Sequence, residues 1–126
     1  MNDPMNKVLE ALSPLLGKMS PEDEERVRQQ LLKFQDRLSR AVVVGEAAAG
    51  LVKYTTNGYG VPVKVEIDDI IFKESDKKLI SDLFCAAIND NINKCQENAR
   101  IVEFELRREL MQAHHEDSQG GGHSHH

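Results

Sequence analysis

The stretch that decides the fold class is VVVGEAAAGLVKYTTNGYGVPVKVEID, residues 42–68. Its last part has the two-residue period of a half-buried strand. The alternating apolar residues there are Val61, Val63, Val65 and Ile67. Asn57-Gly58 between extended runs predicts a hairpin, because both central positions of a tight turn need positive φ. Tyr59-Gly60 lengthens this connection, so the turn type stays open. The pattern predicts three strands, near 41–46, 50–57 and 61–68.

Helical patterns flank the predicted strands. Ser20-Pro21 is a typical helix start, and Glu22 to Glu25 place negative charge at the positive end of the helix dipole. This helix should end near Arg40, and its apolar stripe is Val27, Leu31, Phe34 and Leu38. After the strands, Ser75 is predicted to cap a second helix, which continues without glycine or proline to about Ala113.

The length of this second helix indicates that it projects. About 38 residues span ~57 Å, whereas a small domain is ~30 Å across. Its first half is expected to cover the sheet with Leu79, Ile80, Leu83, Phe84, Ala87 and Ile88. Its second half carries an apolar seam made of Ile92, Cys95, Ala99, Val102, Leu106 and Leu110. Such a seam needs a partner, which the first helix or a second subunit can supply.

The two ends of the chain differ from its middle. Residues 3–17 have the pattern of a short amphipathic helix, with Pro14 favouring a kink or an early end. The apolar residues of this segment are Met5, Val8, Leu9, Leu12, Leu15 and Leu16. Residues 114–126 are rich in histidine and glycine and are expected to be disordered. The predicted organisation is an N-terminal helix within 1–19, a domain over 20–113 and a tail over 114–126.

Composition narrows the class of protein. At 126 residues the chain is about one domain long. No signal peptide is visible in the sequence, and no apolar run approaches the ~20 residues that span a bilayer, so a cytoplasmic setting without membrane contact is expected. Cys85 and Cys95 lie ten residues apart on one predicted helix, ~15 Å in rise, which is too far for a disulfide. We therefore expect both cysteines to be buried as small hydrophobic residues. The alternative is a pair of thiols that meet across a dimer.

No catalytic constellation stands out in the sequence. All five histidines lie in the terminal 13 residues, where nothing rigid orders them as metal ligands. Asp68-Asp69 is interpreted as a turn before the next helix rather than a cation site. No glycine-rich loop followed by lysine is present to hold phosphates. The sequence therefore predicts no enzyme, no cofactor, no metal and no small-molecule substrate.

Positive charge is concentrated on one side of the first helix. The net charge of the chain is −5, which taken alone argues against nucleic acid. From Arg26 to Arg40, however, there are five basic residues and one acidic residue, Asp36. At ~100° per residue, four of them fall within about 60° of one another, about 120° from the apolar stripe. These four are Arg26, Lys33, Arg37 and Arg40. A row of cations can contact a phosphate backbone, although a solvated helix face has the same pattern.

A weaker basic patch lies on the second long helix. Arg100 and Arg107 share a face, and Arg108 is nearby. Four glutamates dilute this patch: Glu97, Glu103, Glu105 and Glu109.

Over roughly Gln30 to Arg108 the chain resembles the YbaB/EbfC family of small bacterial nucleoid-associated proteins. The resemblance rests on the order helix, three-stranded sheet, long helix. It also rests on local matches at Gly45 to Lys53 (Gly-x-x-x-x-Gly-Leu-Val-Lys), Asn57-Gly58, Val63 to Asp68 (Val-x-Val-x-Ile-Asp), and Leu83 to Asp90 (Leu-x-x-Ala-Ala-x-Asn-Asp). The apolar 3–17 segment, the acidic Glu22 to Glu25 cluster and the His-rich end depart from the family pattern.

The resemblance implies an α+β homodimer, tweezer-like, with a helix, a three-stranded antiparallel sheet and a long projecting helix, here preceded by an extra short helix. It further implies a non-enzymatic protein of the cytoplasm and nucleoid that binds double-stranded DNA with little sequence preference. The charge pattern selects Arg26, Lys33, Arg37 and Arg40 as phosphate contacts, helped by Arg100, Arg107 and Arg108. The alternative is a dimeric scaffold that clasps a partner protein and does not bind DNA.

Overall fold

The computed structural model describes residue 10 and residues 19–120, with the side-chain environment given as far as residue 112. The predicted helix over 3–17, apart from Glu10, lies outside these residues, and so do the histidine side chains of the tail. The elements are helix α1 (Pro21–Arg40), strands β1 (Val43–Ala47), β2 (Val52–Thr56) and β3 (Pro62–Ile67), and helices α2 (Asp69–Glu74) and α3 (Lys77–Gly120). The predicted α+β class, with a helix, an antiparallel sheet and a long final helix, is confirmed.

The three strands form one antiparallel sheet in the order β1-β2-β3. Val43 pairs with Thr56 and Ala47 with Val52 in the first ladder, and Val52 pairs with Ile67 in the second. Val52 therefore lies at the centre of a row that crosses all three strands. The strand boundaries differ from the predicted ones by one or two residues at each end.

The sequence predicts positive φ at Asn57 and Gly58 in the turn between β2 and β3, and the structure corrects this prediction. Positive φ occurs at Gly60 (83°), and not at Asn57 or Gly58. Asn57 instead organises the loop with its side chain, because its Oδ1 accepts hydrogen bonds from the backbone N–H groups of Tyr59 (2.8 Å) and Val61 (3.1 Å). Gly58 meets a different requirement: a Cβ there would lie 2.6 Å from the carbonyl oxygen of Leu38. That oxygen accepts the Gly58 N–H at 2.9 Å, so the glycine permits close contact with the end of α1.

Aspartates begin both helices that follow the sheet. Asp68 caps α2, accepting the N–H of Ile70 at 3.0 Å, and this short helix was missed because the pattern indicated only a turn. Asp76, rather than the predicted Ser75, caps α3 by accepting the N–H of Leu79 at 2.8 Å. Helix α3 reaches Gly120, beyond the predicted end near Ala113. No glycine or proline lies between Lys77 and Gly120, so nothing in the local sequence stops the helix earlier.

The chain divides into two compact units. The sheet unit, Arg37–Ala99, contains the sheet, α2 and the first part of α3. Its core is Val52, Ile71 and Ala87, with Ile80 and Leu83 packed against it. The Tyr54 and Phe84 rings lie 6.3 Å apart. The prediction that the first half of α3 covers the sheet is therefore correct for these residues, while Leu79 is exposed.

The helical unit comprises Met1–Asp36 and Arg100–His126. Its described buried residues are Val27, Phe34, Val102, Leu106 and Leu110, which belong to the two predicted apolar stripes. The predicted seam fails at its start, where Ile92 is exposed and Asn91 is buried. The buried cysteine pair is also not observed, since Cys85 is exposed and Cys95 is half-buried.

Candidate nucleic-acid interface

The four basic residues predicted on α1 all have exposed side chains. Arg26 and Lys33 belong to the helical unit, and Arg37 and Arg40 belong to the sheet unit. All four lie on one helix, and the residues Val27, Phe34 and Leu38 of its apolar stripe, about 120° around the helix from them, are buried. Burial of the apolar stripe leaves the basic row on an accessible side of α1.

Acidic neighbours in the first turns of α1 engage some of this charge. Arg26 pairs with Asp23 at 3.6 Å, and Arg28 pairs with Glu25. Glu25 also accepts a hydrogen bond from Gln29 at 3.0 Å. The negative charge of Glu22 to Glu25, which departs from the family pattern, is thus partly neutralised by arginines one turn later in the same helix.

The arginines of α3 belong to the helical unit and are exposed. Arg107 pairs with Glu103 at 2.7 Å, one helical turn earlier. Arg108 points from the same stretch of the helix into solvent. Glutamate therefore screens part of this second patch, as the sequence indicates.

The free edge of β1 is closed by side chains from α3. Asp90 Oδ2 accepts the backbone N–H of Glu46 at 2.9 Å, and Lys94 Nζ donates to the carbonyl oxygen of Val44 at 2.9 Å. Lys94 and Asp90 are themselves 2.9 Å apart. The N–H of Glu46 and the cation of Lys94 together hold the pKa of Asp90 below its usual value, against a smaller opposing effect of burial. We refer to this Asp90–Lys94 pair as the β1 latch.

Asn91 is the main structural residue that the sequence patterns missed. Its side chain is 1 % exposed, and its Nδ2 donates to the carbonyl oxygens of Val43 (3.0 Å) and Tyr54 (3.3 Å). Thr56 Oγ1 lies 3.0 Å from the same nitrogen and 3.4 Å from Cys95 Sγ. A hydrophobic pattern treats asparagine as a surface residue, which is why this role was missed. The signal that could have indicated it is the position of Asn91 on α3 between apolar residues of the neighbouring turns, because a buried polar side chain is normally hydrogen-bonded.

The described part of the chain offers no group of three or more histidine, cysteine or acidic residues that could hold a metal ion. No helix in that part combines the length and hydropathy required to span a bilayer. What the described surface does present is charge on helices and an apolar outer strand.

The sequence pattern of the YbaB/EbfC DNA-binding family matches residues 16–103, more than half of the chain. The chain belongs to the YbaB/EbfC family. Its fold is also similar to the crystal structure of the uncharacterized protein HP0035 from Helicobacter pylori, with a TM-score of 0.57 and 21 % sequence identity. That similarity covers 65 % of this chain and 86 % of the other, and at this identity it bears on the fold alone.

The motifs that resemble the YbaB/EbfC family have structural roles in this member. Gly45 lets α3 approach the sheet, because a Cβ there would lie 2.1 Å from the carbonyl oxygen of Ala87. Asp90, the end of the Asn-Asp match, forms the β1 latch. None of the seven predicted basic contacts belongs to these motifs, so family membership and the choice of contact residues rest on different observations.

Proposed function

We propose that this protein is a non-enzymatic, nucleoid-associated protein of the cytoplasm that binds double-stranded DNA with little sequence preference. Membership of a DNA-binding family over residues 16–103 is the observation that carries the proposal. The proposed contacts are the basic faces of α1 and α3. They comprise Arg26, Lys33, Arg37, Arg40, Arg100, Arg107 and Arg108.

Charge spacing supports α1 as the main contact. From Arg26 to Arg40 the helix rises ~21 Å, which equals the rise of about six base pairs along the duplex axis at ~3.4 Å each. Contacts to phosphates carry no base information, so slight sequence preference follows. The Arg26–Asp23 pair is exposed, and such pairs contribute only about 0–1 kcal/mol. A DNA phosphate can therefore replace Asp23 at little cost.

The test is a fluorescence-anisotropy titration of a ~30-bp duplex at two salt concentrations. We expect binding that weakens steeply as salt rises, because each neutralised phosphate releases condensed counterions. A second duplex of unrelated sequence should bind with similar affinity. No binding even at low salt would contradict the proposal.

Replacing Arg37 and Arg40 together by alanine should weaken binding on every duplex by about tenfold or more and lower the salt slope by about one unit per lost contact. The matched control is Lys77→Ala with Lys78→Ala, which removes the same charge from the first turn of α3. If both double variants lose affinity equally, net charge rather than the α1 row accounts for binding. If Arg37→Ala with Arg40→Ala has no effect, the row is not the contact.

The proposed assembly is a homodimer that forms through β3. The β1 latch closes one outer edge of the sheet, whereas β3 is the other outer strand and exposes Val63 and Val65. These residues share one face, since alternate residues of a strand point to the same side. An open strand edge with apolar side chains is a template for pairing with another chain.

A protein-interaction scaffold is the alternative function. The exposed Ile70 and Phe72 of the short helix α2 favour it, because large apolar side chains on a surface are typical of contact sites. Its signature is salt-insensitive association with one stoichiometric protein after nuclease treatment. That result, together with no DNA binding at low salt, would replace the DNA proposal.

A further inference from the structure

The backbone of β3 turns the N–H and C=O groups of every second residue toward the open side of the sheet. At the end of this strand the N–H of Asp68 donates to the carbonyl oxygen of Leu51 at 2.8 Å, so these two residues form a hydrogen-bonded pair. Along an antiparallel ladder, hydrogen-bonded and non-hydrogen-bonded pairs alternate. The backbone groups of Val65 and Ile67, which belong to the other kind of pair, therefore point away from β2.

The opposite edge of the sheet obeys the same alternation. The β1 latch binds the N–H of Glu46 and the carbonyl oxygen of Val44, which are the outward groups of β1. In the part of the chain that the structure describes, β3 has no neighbour on its outer side, because the sheet order is β1-β2-β3. Outward groups are thus engaged at one edge and open to a second chain at the other.

The side chains of β3 divide into a charged face and an apolar face. Lys64 and Glu66 share the charged face, with Nζ and Oε1 3.6 Å apart. On this face Lys53 of β2 lies opposite Glu66, and Glu46 of β1 lies opposite Lys53. The row therefore alternates in charge from β1 to β3, and a cation beyond Glu66 would continue it.

The apolar face of β3 is incompletely covered. Val65 lies opposite Tyr54, which packs against the core of the sheet unit, yet Val65 itself is 42 % exposed. Its uncovered part lies toward the outer edge, since β2 occupies the other side. An apolar side chain on a strand beyond β3 would cover it.

We propose that β3 pairs with β3 of a second copy in one register, with Val65 opposite Val65 of the partner subunit. This inference rests on the proposed homodimer through β3 and specifies how its strands align. A two-fold axis through the pair makes the strands antiparallel. The outward N–H and C=O of Val65 then bond reciprocally across the axis. Lys64 lies opposite Glu66 of the partner subunit, and Glu66 lies opposite Lys64 of the partner subunit.

Charge distinguishes this register from its neighbours. A shift of one residue sets outward backbone groups against inward ones and removes the hydrogen bonds. A shift of two residues in one direction places Lys64 opposite itself. The same shift in the other direction places Glu66 opposite itself and moves Lys64 to Asp68, whose carboxylate already caps α2. Like charges directly opposite each other are destabilising, and opposite charges are favourable.

In the proposed register the four charges alternate around a square, so each lysine lies between two glutamates. The irregular pairing of β3 with β2 lies at Pro62 and Val63, outside these central pairs. The shifted registers still place Val65 opposite an apolar residue. The charges therefore select the register, while backbone and apolar contacts hold the subunits together.

Cysteine cross-linking of the full-length protein without DNA tests the register. Val65→Cys is introduced into a chain carrying Cys85→Ser and Cys95→Ala, and circular dichroism checks the fold. Opposite residues of a hydrogen-bonded pair have Cα atoms ~5.5 Å apart, within the range of a disulfide. In either shifted register the two introduced thiols belong to residues about 7–8 Å apart, beyond that range. We expect oxidation to convert most of the chains to a covalent dimer on a non-reducing gel.

Charge reversal in the same chain tests what selects the register. Lys64→Glu sets glutamates opposite each other and should slow cross-linking by about threefold or more, while light scattering still gives a dimer. Adding Glu66→Lys restores opposite charges and should return the rate to that of Val65→Cys alone. Each rate is divided by the rate of alkylation with iodoacetamide, which corrects for any change in the pKa of the thiol.

The outcomes separate the register from the wider proposal. A dimer in which Val65→Cys does not cross-link would overturn the register and leave the homodimer standing. Cross-linking that Lys64→Glu does not slow would overturn the role of the charges. A monomer in light scattering would overturn the register and the homodimer together. The anisotropy titration with duplex DNA is a separate measurement, so none of these results decides DNA binding.

Discussion

Gly45 shows how one missing side chain sets the distance between α3 and the sheet. A Cβ at this position would lie 2.1 Å from the carbonyl oxygen of Ala87 and 2.5 Å from the backbone nitrogen of Asn91. Both are backbone atoms of a helix that cannot yield locally. The helix would have to move away from β1 and weaken the hydrogen bonds that Asn91 makes to the sheet.

We therefore expect Gly45→Ala to lower the free energy of unfolding by about 3 kcal/mol, at the upper end for overpacking a core. Urea denaturation followed by circular dichroism measures the change. Glu46→Ala is the control on the next residue, whose side chain is exposed, and should cost far less. Equal stability of Gly45→Ala and the unmodified protein would show that this close approach is not required.

The turn between β1 and β2 places two alanines in a conformation that favours glycine. Ala48 and Ala49 have φ of 53° and 55°, and the N–H of Gly50 donates to the carbonyl oxygen of Ala47 at 3.2 Å. Both central residues of this tight turn are left-handed, as the right-handed twist of a hairpin prefers, but a Cβ makes that conformation costly.

Ala49→Gly is accordingly expected to raise the free energy of unfolding by about 0.5–1 kcal/mol. This is the net gain after subtracting the cost of glycine, which loses more conformational entropy on folding than alanine does. Ala49 is exposed, so no packing is lost. The same substitution at the exposed Ala86 within α3 should have the opposite sign, about 1 kcal/mol of destabilisation. Thermal unfolding of both variants gives the comparison, and a loss of stability in Ala49→Gly would contradict the strained turn.

At the scale of the element, the β1 latch fixes α3 to the edge of the sheet. The carboxylate of Asp90 is the form that accepts both the Glu46 N–H and the Lys94 ammonium group. Its pKa is lower in the folded chain than the ordinary 3.8. The stabilisation is therefore fully present above that ordinary value and is lost as the pH falls through the lower folded value.

Asp90→Asn should make the protein less stable at pH 7, and its stability should approach that of the unmodified protein in acid below the folded pKa of Asp90. Because Asp90 is partly exposed, the difference at pH 7 should be small, on the order of 1 kcal/mol. Asp82→Asn, which removes an exposed pair with Lys78 on the same helix, is the control. A stability difference between Asp90→Asn and the unmodified protein that does not change with pH would show that the charge of Asp90 is not involved.

At the scale of the whole molecule, the two outer edges of the sheet are unequal. The latch engages the Glu46 N–H and the Val44 carbonyl oxygen of β1, while β3 presents Val63 (64 % exposed) and Val65 (42 % exposed) beside an open edge. This asymmetry supports the proposed assembly through β3.

Val63→Glu is expected to convert the proposed dimer to a monomer, because two apolar strand faces cannot pair around a buried, unpartnered carboxylate. Light scattering measures the mass, and anisotropy should show weaker DNA binding because each particle then carries half as many phosphate contacts. Lys64→Glu, on the adjacent residue and the other face of β3, should leave the mass unchanged. A Val63→Glu protein with the mass of the unmodified one would exclude β3 from the interface.

The sequence by itself determined the order of the strands and the two long helices, the antiparallel sheet and most of the apolar stripes of those helices, because these depend on local periodicity and on turn residues. It missed the short helix α2 and the exposed start of the α3 seam. It also determined the family, since the matching glycines and Asn89-Asp90 stand at fixed spacing. Only the tertiary structure decided why those residues are needed. Gly58 faces the carbonyl oxygen of Leu38, Asn91 is buried among strand carbonyls, and Asp90 closes the edge of β1. Each of these roles depends on groups roughly 20 to 50 residues apart in the chain, and no local pattern records such a contact.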